Sequence, residues 1–487
     1  MKKLSNYFWL FAVAALLLNS CSKSSNGGGT PTPEPEPPVT PTGLVFPKKE
    51  MRAVWMTTAW GIDWPMTDYS QAGQKQKYIQ YLDKFKQMNI NTIYFQVRAM
   101  GDAYYASAYE PWATSITGTR GKDPGYDVMK FLIEEAHARG IEFHAWMNPY
   151  RIATRAGTSA AYPALHSSIN GSWVIDHEKI QIYNPARPEV RQRIADIVKE
   201  LISKYDVDGV HLDDYFYPDP ASAGVMISDQ ADFQTYGAGF ANIASWRRSN
   251  VDKAIEGIYK TIVATKPAVV FSISPAASKD YNYNTLFADL AKWCQEGWVD
   301  VLIPQLYQEI GNKSNDFQVN LSIWSQFSYK AALVIGHGFY KFGDPLQGAA
   351  FQSTVELEKQ IDMAKKNAKV VGSAMYSAKY ILDNKIGITD KLTSLYSKPA
   401  VMPFVGRATA PAPVTPTNVR LEAGQLKWAS TGNAKTVVYY FSDLKKEGEV
   451  LAITNEQALA IDKAGHYCVT SLSIDNQESK ASVTVQK

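Results

Sequence analysis

From residue 51 onward, short apolar runs recur along the chain. Each gives way to a polar or aromatic loop and then to a stretch with apolar residues every three to four positions. The runs have strand length and the stretches have helical period. This pattern predicts eight strands, at 52–57, 92–97, 142–148, 209–213, 269–274, 301–307, 332–337 and 371–376. Amphipathic helices are predicted between them, among them 74–88, 126–139, 188–205, 251–265 and 354–367, with Gly140 just past the second and Pro188 opening the third. Strand and helix alternating eight times over roughly 350 residues predict a TIM (β/α)8 barrel with enlarged loops, ahead of a doubly wound open sheet.

The texture changes past Pro399. "RATAPAPVTPTN" reads as a linker, and "GQLKWAS", "AKTVVYYFS", "GEVLAIT", "QALAID" and "GHYCVTSLSI" read as short alternating strands of a small β-sandwich. Its closing stretch, "AGHYCVTSLSIDNQESKAS", resembles a fibronectin type III domain, for which spacing or protein docking is the expected role. At the other end, Lys2 and Lys3 precede an apolar run, Phe8 to Leu18, that is short for a bilayer span and closes on Leu18-Asn19-Ser20-Cys21. This is similar to a bacterial lipoprotein signal, which implies lipidation of Cys21. The Ser/Gly- and Pro-rich residues behind it form a tether that cannot bury a core. The expected organisation is a signal at 1–20, a tether at 21–43, the barrel at 44–400, a linker at 401–415 and the sandwich at 416–487. The expected location is the cell envelope, anchored to the outer membrane and facing the periplasm, because no acidic run follows Cys21.

Formal charge is +3, or +1 once Lys2 and Lys3 leave with the signal, so nucleic acid is not an expected partner. Cys294 and Cys468 fall in separate predicted domains, so neither a disulfide nor a cysteine metal cluster is expected. Twelve Trp and twenty-eight Tyr are a heavy aromatic load, and aromatic rings stack on the apolar faces of sugars.

The chemistry is expected where the barrel strands end. Strand two ends with Gln96, Arg98 and Asp102; strand three with His144, Trp146, Asn148, Tyr150 and Arg151; strand six with Gln305, Tyr307 and Glu309. Two-residue alternation places the members of each strand on one face. In "DGVHLDDYFYP", Val210 and Leu212 face the helices, so His211 and Asp213 point into the barrel mouth with Tyr215 above them. Polar groups gathered in an interior that ordinarily holds branched apolar residues are costly unless function retains them. Asp213 is therefore the first catalytic candidate, and Asp214, on the opposite face, would orient a neighbour or touch substrate.

"EMRAVWMTT", "IYFQVR", "DAYYASAYEPW", "AHARGIEFHAWMNPYR", "DVDGVHLDDYFYP", "WRRSNVD", "SISP" and "PQLY" together resemble the glycosyl-hydrolase-like family ten, from about residue 49 to 400. The resemblance implies a TIM-barrel glycoside hydrolase. It also implies a substrate, since a member of the family is understood to cut peptidoglycan glycan strands stripped of their peptides. The family commonly has Trp after "PQLY", where this chain has Gln308.

Glycoside hydrolysis takes two carboxyl groups flanking the bond and calls for no cofactor. "GVHLDDY" has the spacing of the fourth-strand segment of α-amylase-type barrels, where the residue aligned with Asp213 is the nucleophile. Glu309 has the right parity to be the acid, with Asp102 in reserve. A chitinase-type, substrate-assisted mechanism ranks second, because the terminal glutamate of that pattern is missing. Two rivals stay open. One is a metal-dependent polysaccharide deacetylase binding a metal through His211, Asp213 and His144. The other is a silent glycan-binding lipoprotein. Arg98 and Arg151 are expected to pair with the lactyl carboxylates of muramic acid, and Gln96, Asp102, His144, Trp146, Asn148, Tyr150, His211, Tyr215, Gln305 and Tyr307 to line the substrate cleft; dietary or host polysaccharide is the alternative substrate.

Overall fold

Eight parallel strands close into a barrel in the computed structural model, which describes residues 43–213, 216–432 and 434–487. The leader, Cys21 and nearly all of the tether lie outside the described residues, as do Asp214 and Tyr215. The barrel strands are β1 (Met51–Met56), β2 (Thr92–Arg98), β3 (Glu142–Met147), β4 (Gly209–Leu212), β5 (Val270–Ile273), β6 (Val301–Leu302), β7 (Ala332–His337) and β8 (Val370–Tyr376). Each pairs with the next in parallel, and β8 returns to β1 with Trp55 opposite Tyr376.

Alternation along the strands separates two apolar layers. Val54, Phe95, Phe143, Val210, Leu212 and Phe271 face the helices in the outer core. Met51, Ala53, Trp55, Tyr94, Val301, Ile303 and Val334 fill the barrel interior. The inward parity expected for β2, β3 and β4 is the parity observed. Strand β6 is shorter than the expected 301–307, because Pro304 has no N–H to give to the ladder. Past it, pairing continues as single bonds, Ile303 N–H to Ile273 O (2.9 Å) and Gln305 N–H to Pro275 O (3.0 Å).

The helix expected at 251–265 begins earlier and runs Ile243–Thr265. Asn242 caps it, accepting from Ser245 N–H while the Ser245 hydroxyl reaches back to the Asn242 N–H. Between β3 and the helix Pro188–Lys204 lies an insertion read from sequence as loop. It holds a three-stranded antiparallel sheet of Arg151–Thr154, Val174–His177 and Ile180–Tyr183. Strands this short carry too little periodicity to stand out from a loop. No helix among the described residues is long and apolar enough to cross a membrane.

The C-terminal domain is all-β, as expected. It has two antiparallel sheets, one of Thr417–Glu422, Gln425–Ala429 and Ala458–Ala460, the other of Glu449–Thr454, Lys435–Phe441, His466–Leu472 and Val485–Gln486. Leu426 and Trp428 of the first share a core with Val438, Tyr467 and Val469 of the second, which makes the pair a sandwich. Residues 401–407 run against the barrel base. Met402 packs under its inner core, and Arg407 grips both Asp300 oxygens at 2.7 Å.

Candidate active site

The register fixes which side chains share a level at the C-terminal ends of the strands. Trp146 pairs with His211 and Met147 with Leu212, so the next residues, Asn148 and Asp213, stand side by side at the barrel mouth. Asn148 Nδ2 donates to Asp213 Oδ2, and Gln96 Nε2 donates to Asn148 Oδ1 (2.7 Å). Gln96 is held in turn: its Oε1 accepts from Thr58 and Ala59 N–H, both at 2.9 Å, and its backbone carbonyl accepts from the Thr58 hydroxyl (2.7 Å). Three strand ends and the β1 loop thus converge on one carboxylate, which stays 3% exposed. Such a relay locks rotamers before any ligand arrives, the condition for a carboxylate that must meet a reacting carbon at a set angle.

A level below, His211 is fully buried, and both ring nitrogens are engaged. Trp55 Nε1 donates to its Nε2 (3.0 Å), so Nδ1 carries the proton toward Ser272 Oγ (2.8 Å). Burial, with the nearby His144, pushes its pKa well below the usual imidazole range and keeps it neutral. His211 supports the floor of the site instead of lining the cleft. His144, expected at the mouth, lies lower still: it pairs with Tyr94 and Gly209 near the start of β3 and bonds Glu142 Oε2 at 3.1 Å. Its ring covers Gly209 so closely that a Cβ there would stand 2.2 Å from Nδ1. The metal-site reading fails on this geometry, since His211 has no ring nitrogen left to give. Among the described residues, no three His, Cys, Asp or Glu side chains gather to hold a metal ion.

Arg98 also departs from expectation. It is 1% exposed, pairs with Glu110 (Nη2 to Oε1, 2.9 Å), and its Nη1 donates to the carbonyls of Asn148 and Pro149. A buried guanidinium requires a carboxylate, and Glu110 in the following loop meets that need. Arg98 therefore braces Asn148 from behind and does not reach substrate. Tyr150 is likewise 1% exposed, in the outer core. Asp102 is 6% exposed and accepts from Met100 N–H at 3.0 Å; burial raises its pKa, with Arg120 opposing. Trp146 lies just beneath the Asp213 level, 6% exposed, its ring 6.3 Å from His211.

Arg151 is 8% exposed, its Nε on Ala99 O (3.0 Å) and its guanidinium 6.0 Å from the ring of Trp60. Across the mouth, half-buried Gln305 and Tyr307 follow β6, and Gln305 Nε2 donates to Ser274 O (3.1 Å). Glu309, half-buried in the same loop, accepts from Asn312 Nδ2 at 3.0 Å. Gln308 accepts from the Lys341 ammonium at 2.9 Å.

Sequence reasoning missed Asp63, Glu110, Tyr340 and Tyr376. Tyr376 carried a usable signal, the inward parity of its strand end; Glu110 and Asp63 sit in loops and carried none. Asp63 joins β1 to β8. Its Oδ2 accepts from Thr57 N–H (2.6 Å), and its Oδ1 accepts from the Ser377 hydroxyl and Lys379 N–H, both at 2.8 Å. Burial pushes its pKa up to about 6 from 3.8, against those hydrogen bonds. An acid with a raised folded-state pKa holds its proton more tightly folded than unfolded. Its stabilising contribution is therefore complete below the unfolded value and lost as pH rises through about 6, a change of about 3 kcal/mol. Asp63→Asn, which cannot titrate, should remove that slope. In urea unfolding the stability difference between wild type and variant should move by about 2.5 kcal/mol in the variant's favour from pH 4 to pH 7.5. A pH-independent difference would return Asp63 to the ordinary carboxylate range.

Comparison with known proteins finds a matching family and relatives. A profile of the family described as Glycosyl hydrolase-like 10 matches residues 50–352. Glycosyl hydrolase YngK of Bacillus subtilis (strain 168) is 36% identical over 482 residues, covering 90% of this chain and 94% of that protein. Glycosyl hydrolase DigH of Escherichia coli (strain K12) is 32% identical over 409 residues, covering 76% of this chain and 92% of that protein. Among solved structures, the PgaB (BpsB) glycoside hydrolase domain from Bordetella bronchiseptica is similar with a TM-score of 0.49 at 13% identity, over 71% of this chain and 98% of that domain.

Proposed function

The chain belongs to the glycosyl hydrolase-like 10 family and is a glycosidase, and from that premise we propose that it cuts cell-envelope glycan, peptide-free peptidoglycan strands above all. The observation that carries the chemistry is the relay from Gln96 through Asn148 to Asp213, which holds one carboxylate in a fixed pose at the barrel mouth. In this reading Asp213 attacks the anomeric carbon or activates the water that does. Glu309, on the β6 loop two strands round the barrel, supplies the proton to the leaving oxygen.

Arg151 supports the substrate. With Arg98 held by Glu110, Arg151, 8% exposed, is the guanidinium we assign to a lactyl carboxylate, and it stands beside Trp60, which is 69% exposed. The leader bears on the same assignment, since a lipid on Cys21 would hold the barrel within reach of the peptidoglycan layer. Mass spectrometry of digests tests the reading. Peptide-free glycan strands should be cut faster than intact peptidoglycan, chitin oligomers or neutral plant glucans. Arg151→Lys should narrow the margin over chitin, which has no lactyl group. Faster cleavage of neutral glucans by the wild type would defeat the cell-wall assignment and leave the glycosidase intact.

A further inference from the structure

Beyond the carboxylates, the mouth carries rings that the hydrolytic chemistry does not use. Tyr307 follows β6, Tyr340 follows β7, and Tyr376 and Tyr380 stand at and just past the end of β8. Tyr307 stacks on Tyr376 with centroids 5.8 Å apart and planes 18° from parallel. Tyr340 meets both edge-on at 6.0 Å and touches Tyr380 at 6.1 Å. All four are half-buried, and Tyr307 and Tyr340 belong to neither the inner nor the outer apolar core. This wall borders the chemistry, because the Tyr376 ring meets Trp55 edge-on at 6.3 Å, and Trp55 Nε1 donates to His211, a level below Asp213.

The next strand round the barrel continues the arc. The Thr57 hydroxyl bonds Tyr376 Oη at 3.3 Å, and three residues later Trp60 projects from the β1 loop, 69% exposed. Its backbone is left-handed, φ 52°, a conformation that costs a non-glycine residue energy. It is held there by its neighbours: Thr58 and Ala59 N–H are fixed on Gln96 Oε1, and Gly61 N–H returns to Thr58 O at 2.9 Å. The same Gln96 positions Asn148 and, through it, Asp213. The exposed Trp60 ring thus sits in a strained, tightly held turn tied to the catalytic relay, with the Arg151 guanidinium 6.0 Å from it.

We propose that the Tyr307–Tyr340–Tyr376 wall and Trp60 form sugar-stacking subsites along the β6–β7–β8–β1 side of the mouth, binding pyranose rings of an N-acetylated glycan on either side of the bond presented to Asp213. Pyranose rings have apolar C–H faces that match aromatic faces, and the hydroxyls and acetamido groups left at the edges would meet Arg151 and Gln305. The proposal rests on the glycosidase reading and adds to it where the chain of sugars lies. The Gln308–Lys341 bond fixes the segment that carries Tyr340, so the wall is formed before ligand arrives.

Binding, measured by titration calorimetry in the inactive Asp213→Asn protein, separates this proposal from the reading beneath it. The probes are N-acetylglucosamine oligomers of increasing length and peptide-free glycan strands. Trp60→Ala and Tyr340→Ala should each weaken binding by about 2- to 10-fold, the scale of one aromatic contact. Tyr340→Phe, which keeps the ring, should bind like the parent. The Trp60 loss should fade as the oligomer shortens, and unfolding curves will show whether each variant is intact. Parent affinity retained in both alanine variants would overturn the subsites while leaving the substrate class standing. A parent that binds neither probe would overturn the substrate reading and the subsites with it.

Discussion

Asp213→Asn should leave a folded protein with kcat lowered by about 1,000-fold or more, which is about 4 kcal/mol of lost transition-state stabilisation. The fold should survive because the substituted amide can still offer its oxygen to Asn148 Nδ2, so the contacts from Gln96 to position 213 persist. What disappears is the negative charge that the transition state needs. Glu309→Gln completes the experiment. A missing proton donor matters little when the leaving group is already a good one, so this variant should lose rate on natural glycan and recover much of it on an activated aryl glycoside. Equal loss on both substrates would move the donor role to Asp102, whose carboxyl pKa burial raises. Near-wild-type turnover by the Asp213→Asn protein would remove Asp213 from the mechanism altogether.

The barrel was legible because alternation and strand length are properties of the backbone that sequence carries directly. Seven of the eight predicted strands match the observed ones to within about a residue at each end, the boundary error ordinary to such assignment. The exception, β6, was lost to Pro304, whose effect depends on which neighbour needed its N–H. Inward parity identified Gln96, Asn148, His211 and Asp213 as one face, but parity says nothing of height. His144 shares the parity of Asn148 and lies four residues, about 13 Å, lower along the same strand. Only the stagger of the neighbouring strands separates the two. Arg98 shows a different gap. An arginine at a strand end looks free to bind an anion until its partner is known, and Glu110 lies in a loop with no periodic pattern to place it. The tyrosine wall was half visible: Tyr307 could be named from its strand, whereas its packing on Tyr340 and Tyr376 depends on three loops meeting.

The buried Arg98–Glu110 pair should be the most destabilising to break. Both side chains are almost wholly out of water, at 2% and 1% exposure, and Glu110 also accepts from the Tyr183 hydroxyl at 3.2 Å, joining the inserted sheet to the barrel. Removing one partner leaves the other charge buried and unpaired, so Glu110→Ala or Arg98→Met should each cost about 3–5 kcal/mol in urea unfolding. An apolar pair of similar volume carries no such penalty, and Arg98→Met with Glu110→Leu should recover most of the lost stability. Activity should not recover with it. Arg98 Nη1 holds the carbonyls of Asn148 and Pro149, so any variant lacking the guanidinium lets the turn after β3 drift and loosens the amide that orients Asp213. The double variant is therefore expected to be stable and slow, with kcat reduced alike on muramic-acid glycans and on chitin oligomers. A selective loss on the carboxylate-bearing glycan would instead mean that Arg98 leaves Glu110 and reaches substrate when the site is filled.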